Sequence, residues 1–67
     1  MSRRETETFD VDVQILHESD KAIKVAYGDA EVWVPKGQIE NWDRNWVPGN
    51  EVNITIPMWL AEEKGFV

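Results

Sequence analysis

Residues Glu31 to Ile39 read EVWVPKGQI, and this stretch decides how the chain is laid out. Val32 and Val34 alternate with Trp33 at the period of two expected of a strand. Pro35 ends the strand because it has no backbone N–H to give to a ladder. Lys36, Gly37 and Gln38 then fit one tight helical turn, after which Ile39 folds back onto the core.

Upstream, Ala22–Tyr27 and Ala30–Val34 flank Gly28-Asp29, a two-residue connection suited to the mirror-image turns of β-hairpins. If Tyr27 faces Ala30, then Val25 faces Val32 and Ile23 faces Val34, which gathers the β-branched residues on one side. Lys24 then falls opposite Trp33 and Ala26 opposite Glu31, and a Lys24–Trp33 cation–π contact of about 0.5–1 kcal/mol is expected on the outer side.

Further upstream, residues 1–5 read as a polar, flexible tail ahead of a single domain spanning 6–67. Phe9, Val11, Val13 and Ile15 alternate with Asp10, Asp12 and Gln14, so one face of this strand belongs in a core and the other in water. Leu16 breaks the period and marks a bulge or a bend. His17–Asp20, HESD, reads as a polar turn.

Downstream, Glu40–Val47 places Trp42 and Trp46 four apart in polar company, with Asp43 and Arg44 between them. Pro48-Gly49 suits the centre of a type II turn. Val52, Ile54 and Ile56 alternate as a closing strand. Pro57 fits the first position of a helix that continues over Met58–Lys64. Gly65 is the expected left-handed stop, with Phe66 clasping Ala61 or Leu60.

A chain of 67 residues buries only about 60% of its unfolded surface. It contains no cysteine for disulfides, so packing must supply the stability, and four tryptophans offer large apolar areas. No apolar run approaches the roughly 18 residues of a membrane span, and MSRRETET lacks the apolar stretch of a signal peptide, so a cytoplasmic protein is expected. Thirteen acidic residues against seven basic ones give a formal charge of −6. Such a surface repels phosphate backbones and favours a basic protein partner, although acidity can also serve solubility alone.

The segments VWVPKGQI and IPMWLAEEKGF resemble a set of short, mostly uncharacterised bacterial and phage-associated proteins. Those proteins pair a W-hydrophobic-P-K-x-Q-I segment with a C-terminal I-P-x-W-L-A-x-x-K-G. The likeness covers Glu31–Ile39 and Ile54–Phe66. It departs from the pattern at Gly37, where serine is expected, and at Met58, where an acidic residue is expected; the NWDRNWVPGN insert has no counterpart. The resemblance implies a genomic setting, that of accessory proteins of mobile elements. By analogy with small acidic phage proteins that occupy nucleic-acid-binding surfaces of host defence complexes, an anti-CRISPR-like inhibitor is one expectation.

One histidine, two serines and no cysteine leave no nucleophile, base and orienter to assemble, so no catalytic site is expected. His17 reads as an exposed turn residue. Asp10 and Asp12, even with Glu18 or Asp20 nearby, read as a solvated strand face in preference to a metal site, because hard cations want oxygens converging from several directions. No cofactor is expected. Trp59 is expected to pack the helix onto the core. Trp33 points away from that core and is expected beneath the terminal helix. Trp42 and Trp46 either cap the open end of a barrel or, with Asp43 and Arg44, form the centre of a partner-binding surface.

The fold expected is all-β, a small SH3-like barrel of four main strands with a short C-terminal helix. An OB-like barrel is the alternative, disfavoured because its helix belongs between the third and fourth strands. The expected function is a non-enzymatic, acidic protein-binding module, monomeric or weakly dimeric, using Trp42, Asp43, Arg44, Trp46, Asp10, Asp12 and Trp33 on a basic partner. Rival readings are a single-stranded nucleic-acid binder stacking bases on tryptophan and a structural subunit of a larger assembly.

Overall fold

A computed structural model describes residues 7–67, so the expected tail over residues 1–5 lies outside the described residues. The strands are β1 (Thr8–Glu18), β2 (Ala22–Tyr27), β3 (Ala30–Pro35) and β4 (Glu51–Pro57), followed by the helix α1 (Met58–Lys64). They form one antiparallel sheet in the order β3-β2-β1-β4. Closure into a barrel is not seen, because β3 and β4 are the two edges and do not pair with each other.

The β2–β3 register is the one that the hydrophobic pattern dictates, with Tyr27 opposite Ala30, Val25 opposite Val32 and Ile23 opposite Val34. Gly28 takes a φ of 58° at the first turn position, where a residue with a Cβ would be strained. Between β1 and β2 the pairing jumps from Ile15↔Val25 to His17↔Lys24, so Leu16 is the extra residue of a bulge. β1 nevertheless runs on to Glu18, and the turn is confined to Ser19–Ala22. There the Ser19 backbone N–H donates to the Ala22 carbonyl at 2.8 Å, and the Ser19 Oγ accepts from the Ala22 N–H at 3.1 Å. His17 is thus an exposed strand residue, not part of the turn.

Alternate residues of all four strands converge on one face. Val11, Val13, Ile15, Ile23, Val25, Val34, Ile54 and Ile56 form its buried surface, which Ile39, Leu60, Ala61 and Phe66 complete. Lys36–Gln38 is a single 3₁₀ turn, after which Ile39 enters the core as its sequence position implies. Pro48-Gly49 turns with the Asn50 N–H donating to the Val47 carbonyl at 3.1 Å and Gly49 at a φ of 100°, the conformation a type II turn requires.

Pro57 closes β4 in an extended conformation and caps α1 instead of opening it. Gly65 ends the helix at a φ of 87°, and the Phe66 N–H donates to the Ala61 carbonyl at 2.9 Å. Phe66 is thereby buried, with Tyr27 meeting it edge-on at 5.1 Å. No helix among the described residues is long and apolar enough to cross a membrane.

Candidate functional site

The sheet has two unlike faces. The apolar face carries α1 and the 36–50 connection. The opposite face bears Asp10, Asp12 and Gln14 from β1, Lys24 and Ala26 from β2, Glu31 and Trp33 from β3, and Glu51, Asn53 and Thr55 from β4. Cross-strand pairing runs Glu51–Gln14–Ala26–Glu31 in one row and His17–Lys24–Trp33 in another, with Asp12 beside Asn53 and Asp10 beside Thr55.

The carboxylates at one corner of this face are held in place. Thr55 Oγ1 donates to Asp10 Oδ1 at 2.8 Å, and Asn53 Nδ2 donates to Asp12 Oδ1 at 3.0 Å. Each bond uses one carboxylate oxygen and leaves the other turned to solvent, so the acids are oriented and still able to accept hydrogen bonds from a partner. β2 ends at Tyr27 while β1 continues past it towards Thr8. The result is a shallow depression of about 290 Å³ bordered by Asp12, Gln14, Ala26, Gly28 and Glu51. Ala26 and Gly28 among its lining residues are small, which keeps the depression open beside Asp12 and Glu51. Among the described residues no group of three or more His, Cys, Asp or Glu gathers as a metal cage would require.

Trp33 stands at the far corner of the same face and is 44% exposed. The helix does not cover it, contrary to expectation, because α1 packs on the apolar face against β4 and β1. The expected cation–π contact with Lys24 is also replaced. Lys24 Nζ sits 3.4 Å from Glu31 Oε1, the diagonal carboxylate on the neighbouring strand; an exposed ion pair and an exposed cation–π contact are worth about the same, so facing Trp33 across the ladder does not by itself direct the ammonium onto the ring.

Trp42 and Trp46 lie on the other side of the sheet. Both are half-buried and packed against the core, and their rings meet edge to face at 5.4 Å and 84°. The segment between them is a chain of turns: the Asn45 N–H donates to Asp43 Oδ1 at 2.8 Å and the Trp46 N–H to the Asp43 carbonyl at 3.0 Å. Asp43 and Arg44 project from this turn and are exposed. Of the seven residues expected to meet a partner, Asp10, Asp12 and Trp33 share one face, whereas Trp42, Asp43, Arg44 and Trp46 belong to the opposite one.

Two positions that the sequence did not single out anchor the connection. Lys36 Nζ donates to Glu18 Oε2 at 2.6 Å and lies 5.1 Å from the centroid of the Trp42 ring. Asn41 binds the outer edge of β4, its Nδ2 donating to the Asn53 carbonyl at 2.8 Å and its Oδ1 accepting the Thr55 N–H at 2.9 Å. The Glu40 N–H completes this edge by donating to the Thr55 carbonyl at 2.8 Å.

Trp59 is 48% exposed and does not serve as the anchor of α1. Leu60 and Ala61 face the core instead. At 100° per residue, Trp59 stands about 150° from the middle of that buried side, so it must point outward. No family model matches this sequence, and no curated protein or solved structure is significantly similar to it.

Proposed function

We propose that this chain is a non-enzymatic, acidic protein-binding module whose uncovered sheet face engages a basic surface of a partner protein. The observation that carries the reading is the acidic corner itself. Asp10 and Asp12 are fixed by Thr55 and Asn53 beside a depression walled by Glu51, with no element among the described residues packed over them. Oriented carboxylates lose little freedom on meeting lysine or arginine, and a net charge of −6 steers such a surface towards them. Trp33, exposed on the same face, supplies apolar area of the kind that dominates interface energetics.

For the finer architecture we favour an SH3-like barrel left open between β3 and β4, given the 3₁₀ turn that precedes the last strand. The resemblance of VWVPKGQI and IPMWLAEEKGF to phage-associated proteins supplies a setting. In that setting, an accessory protein occupies a basic, nucleic-acid-binding surface of a host complex in the cytoplasm, as an anti-CRISPR-like inhibitor does.

The test is capture from a lysate of the source cell on three immobilised proteins: the parent, Asp10→Lys/Asp12→Lys/Glu51→Lys, and Asp43→Lys/Arg44→Glu. A basic protein held by the parent and the loop variant but lost by the face variant supports the reading. Retention by the face variant with loss by the loop variant would return the site to the 42–46 turn.

A further inference from the structure

The two edges of the sheet are treated differently. In the β2–β3 hairpin, Tyr27 and Ala30 flank a two-residue turn and form a hydrogen-bonded pair, as do Val25–Val32 and Ile23–Val34 by alternation. The Lys36 N–H donating to the Lys21 carbonyl at 2.8 Å continues the same alternation. Glu31 and Trp33 therefore turn their N–H and C=O groups away from β2. No bond to those groups occurs outside the ladders among the described residues. On β4 the outward carbonyl of Asn53 and both outward groups of Thr55 are occupied by Asn41 and Glu40. Among the described residues the β4 edge is largely closed by the chain's own groups and the β3 edge is open, with a tryptophan on it.

We propose that β3 is a pairing edge for a second copy of this chain, joined antiparallel about a two-fold axis at Val32. This proposal is independent of the partner reading above. The residue centres that lie on or between Glu31 and Trp33 are Glu31, Val32 and Trp33, and side-chain chemistry selects one. Centring on Glu31 sets two carboxylates face to face, which opposes pairing. Centring on Trp33 sets Pro35, which lacks an N–H, opposite Glu31 and forfeits a bond in each pair beside the axis; centring on Val32 moves that loss out to Asp29 at the ends of the seam. Centring on Val32 pairs Glu31 with Trp33 of the other copy, twice by symmetry, and each pair exchanges both main-chain bonds.

The same register matches the remaining chemistry. Val32, half-buried at the margin of the core, meets its own counterpart and extends the apolar face across the seam. Asp29 comes alongside Pro35 of the other copy, near its exposed Lys21, so unlike charges approach at both ends of the seam. Asp10, Asp12 and Glu51 lie on β1 and β4, the strands farthest from it, where the repulsion between two acidic copies is weakest.

Sedimentation equilibrium across a wide concentration range, together with amide hydrogen exchange read by NMR, tests the proposal. The expected mass rises from 7.8 kDa towards twice that value. The Glu31 and Trp33 amides should gain protection as it rises, while Val32 and Val34 stay protected throughout. Trp33→Lys changes an exposed side chain and Glu31→Pro removes one outward N–H; each should hold the mass at the monomer value, with a cooperative melt showing that the variant is folded. Three results would each overturn the proposal: a mass that stays at 7.8 kDa up to the solubility limit, association that survives Trp33→Lys, or protection of Glu31 and Trp33 that does not vary with concentration.

Discussion

Trp42 and Trp46 meet edge to face with their centroids 5.4 Å apart, and the pair rests on the core. An edge-to-face pair adds about 0.5–1.5 kcal/mol to the burial of its rings. Trp42 also receives the Lys36 ammonium on its ring. Trp42→Ala and Trp46→Ala should therefore each destabilise the domain by about 2–4 kcal/mol. Trp59→Ala should shift stability by no more than about 1 kcal/mol, because the ring is 48% exposed. Urea unfolding of the three variants checks this. A Trp59→Ala loss larger than the other two would put the helix tryptophan back in the core.

Val25 is fully buried in mid-hairpin, opposite Val32. Val25→Asp should leave no cooperative transition, since an unpaired buried carboxylate costs several kcal/mol and a domain of this size has little in reserve. Circular dichroism during heating reads the outcome. A melt within a few degrees of the parent would show that the register is wrong.

Asn41 does the work of a short strand at the β4 edge through its carboxamide alone. Asn41→Ala should cost about 1–2 kcal/mol and speed exchange of the Thr55 amide. Asn41→Asp keeps an acceptor for that amide but turns a carboxylate oxygen towards the Asn53 carbonyl, so Thr55 should keep more protection than in Asn41→Ala and less than in the parent. Equal exchange in both variants would mean that the side chain does not hold this edge.

The acidic surface should also exclude nucleic acid. Fluorescence anisotropy with a labelled single-stranded oligonucleotide at physiological salt should show no binding, because phosphate contacts supply most such affinity. Micromolar binding that weakens with added salt would favour base stacking on Trp33 over the protein-binding reading.

How much of this was legible beforehand depends on the range of the forces involved. The β2–β3 register, the Leu16 bulge, the glycine turns and the core entry of Ile39 follow from periodicity and local backbone chemistry, and all appear as read. The tryptophans did not follow. Trp59 is expected inward as part of the apolar side of an amphipathic helix, yet its phase relative to Leu60 and Ala61 turns it outward. Trp42 and Trp46 sit in turns without a period, so only the path of the connection across the core settles their burial. For the candidate site, the strand period placed Asp10, Asp12 and Trp33 on one face. The bonds from Thr55 and Asn53 that orient the two acids span 45 and 41 residues of sequence and depend on β1–β4 pairing that no local signal announces.

The most direct test of the acidic sheet face is a two-dimensional amide NMR titration of the labelled protein with an arginine-rich peptide at physiological salt. Acidic side chains are distributed over every surface, so the probe is free to choose among them. Perturbations concentrated on Asp10, Asp12, Gln14, Ala26, Glu51 and the Trp33 indole are the predicted result. Perturbations centred on Glu40 and Asp43 or on Glu62 and Glu63, or spread evenly over all the acids, would contradict it.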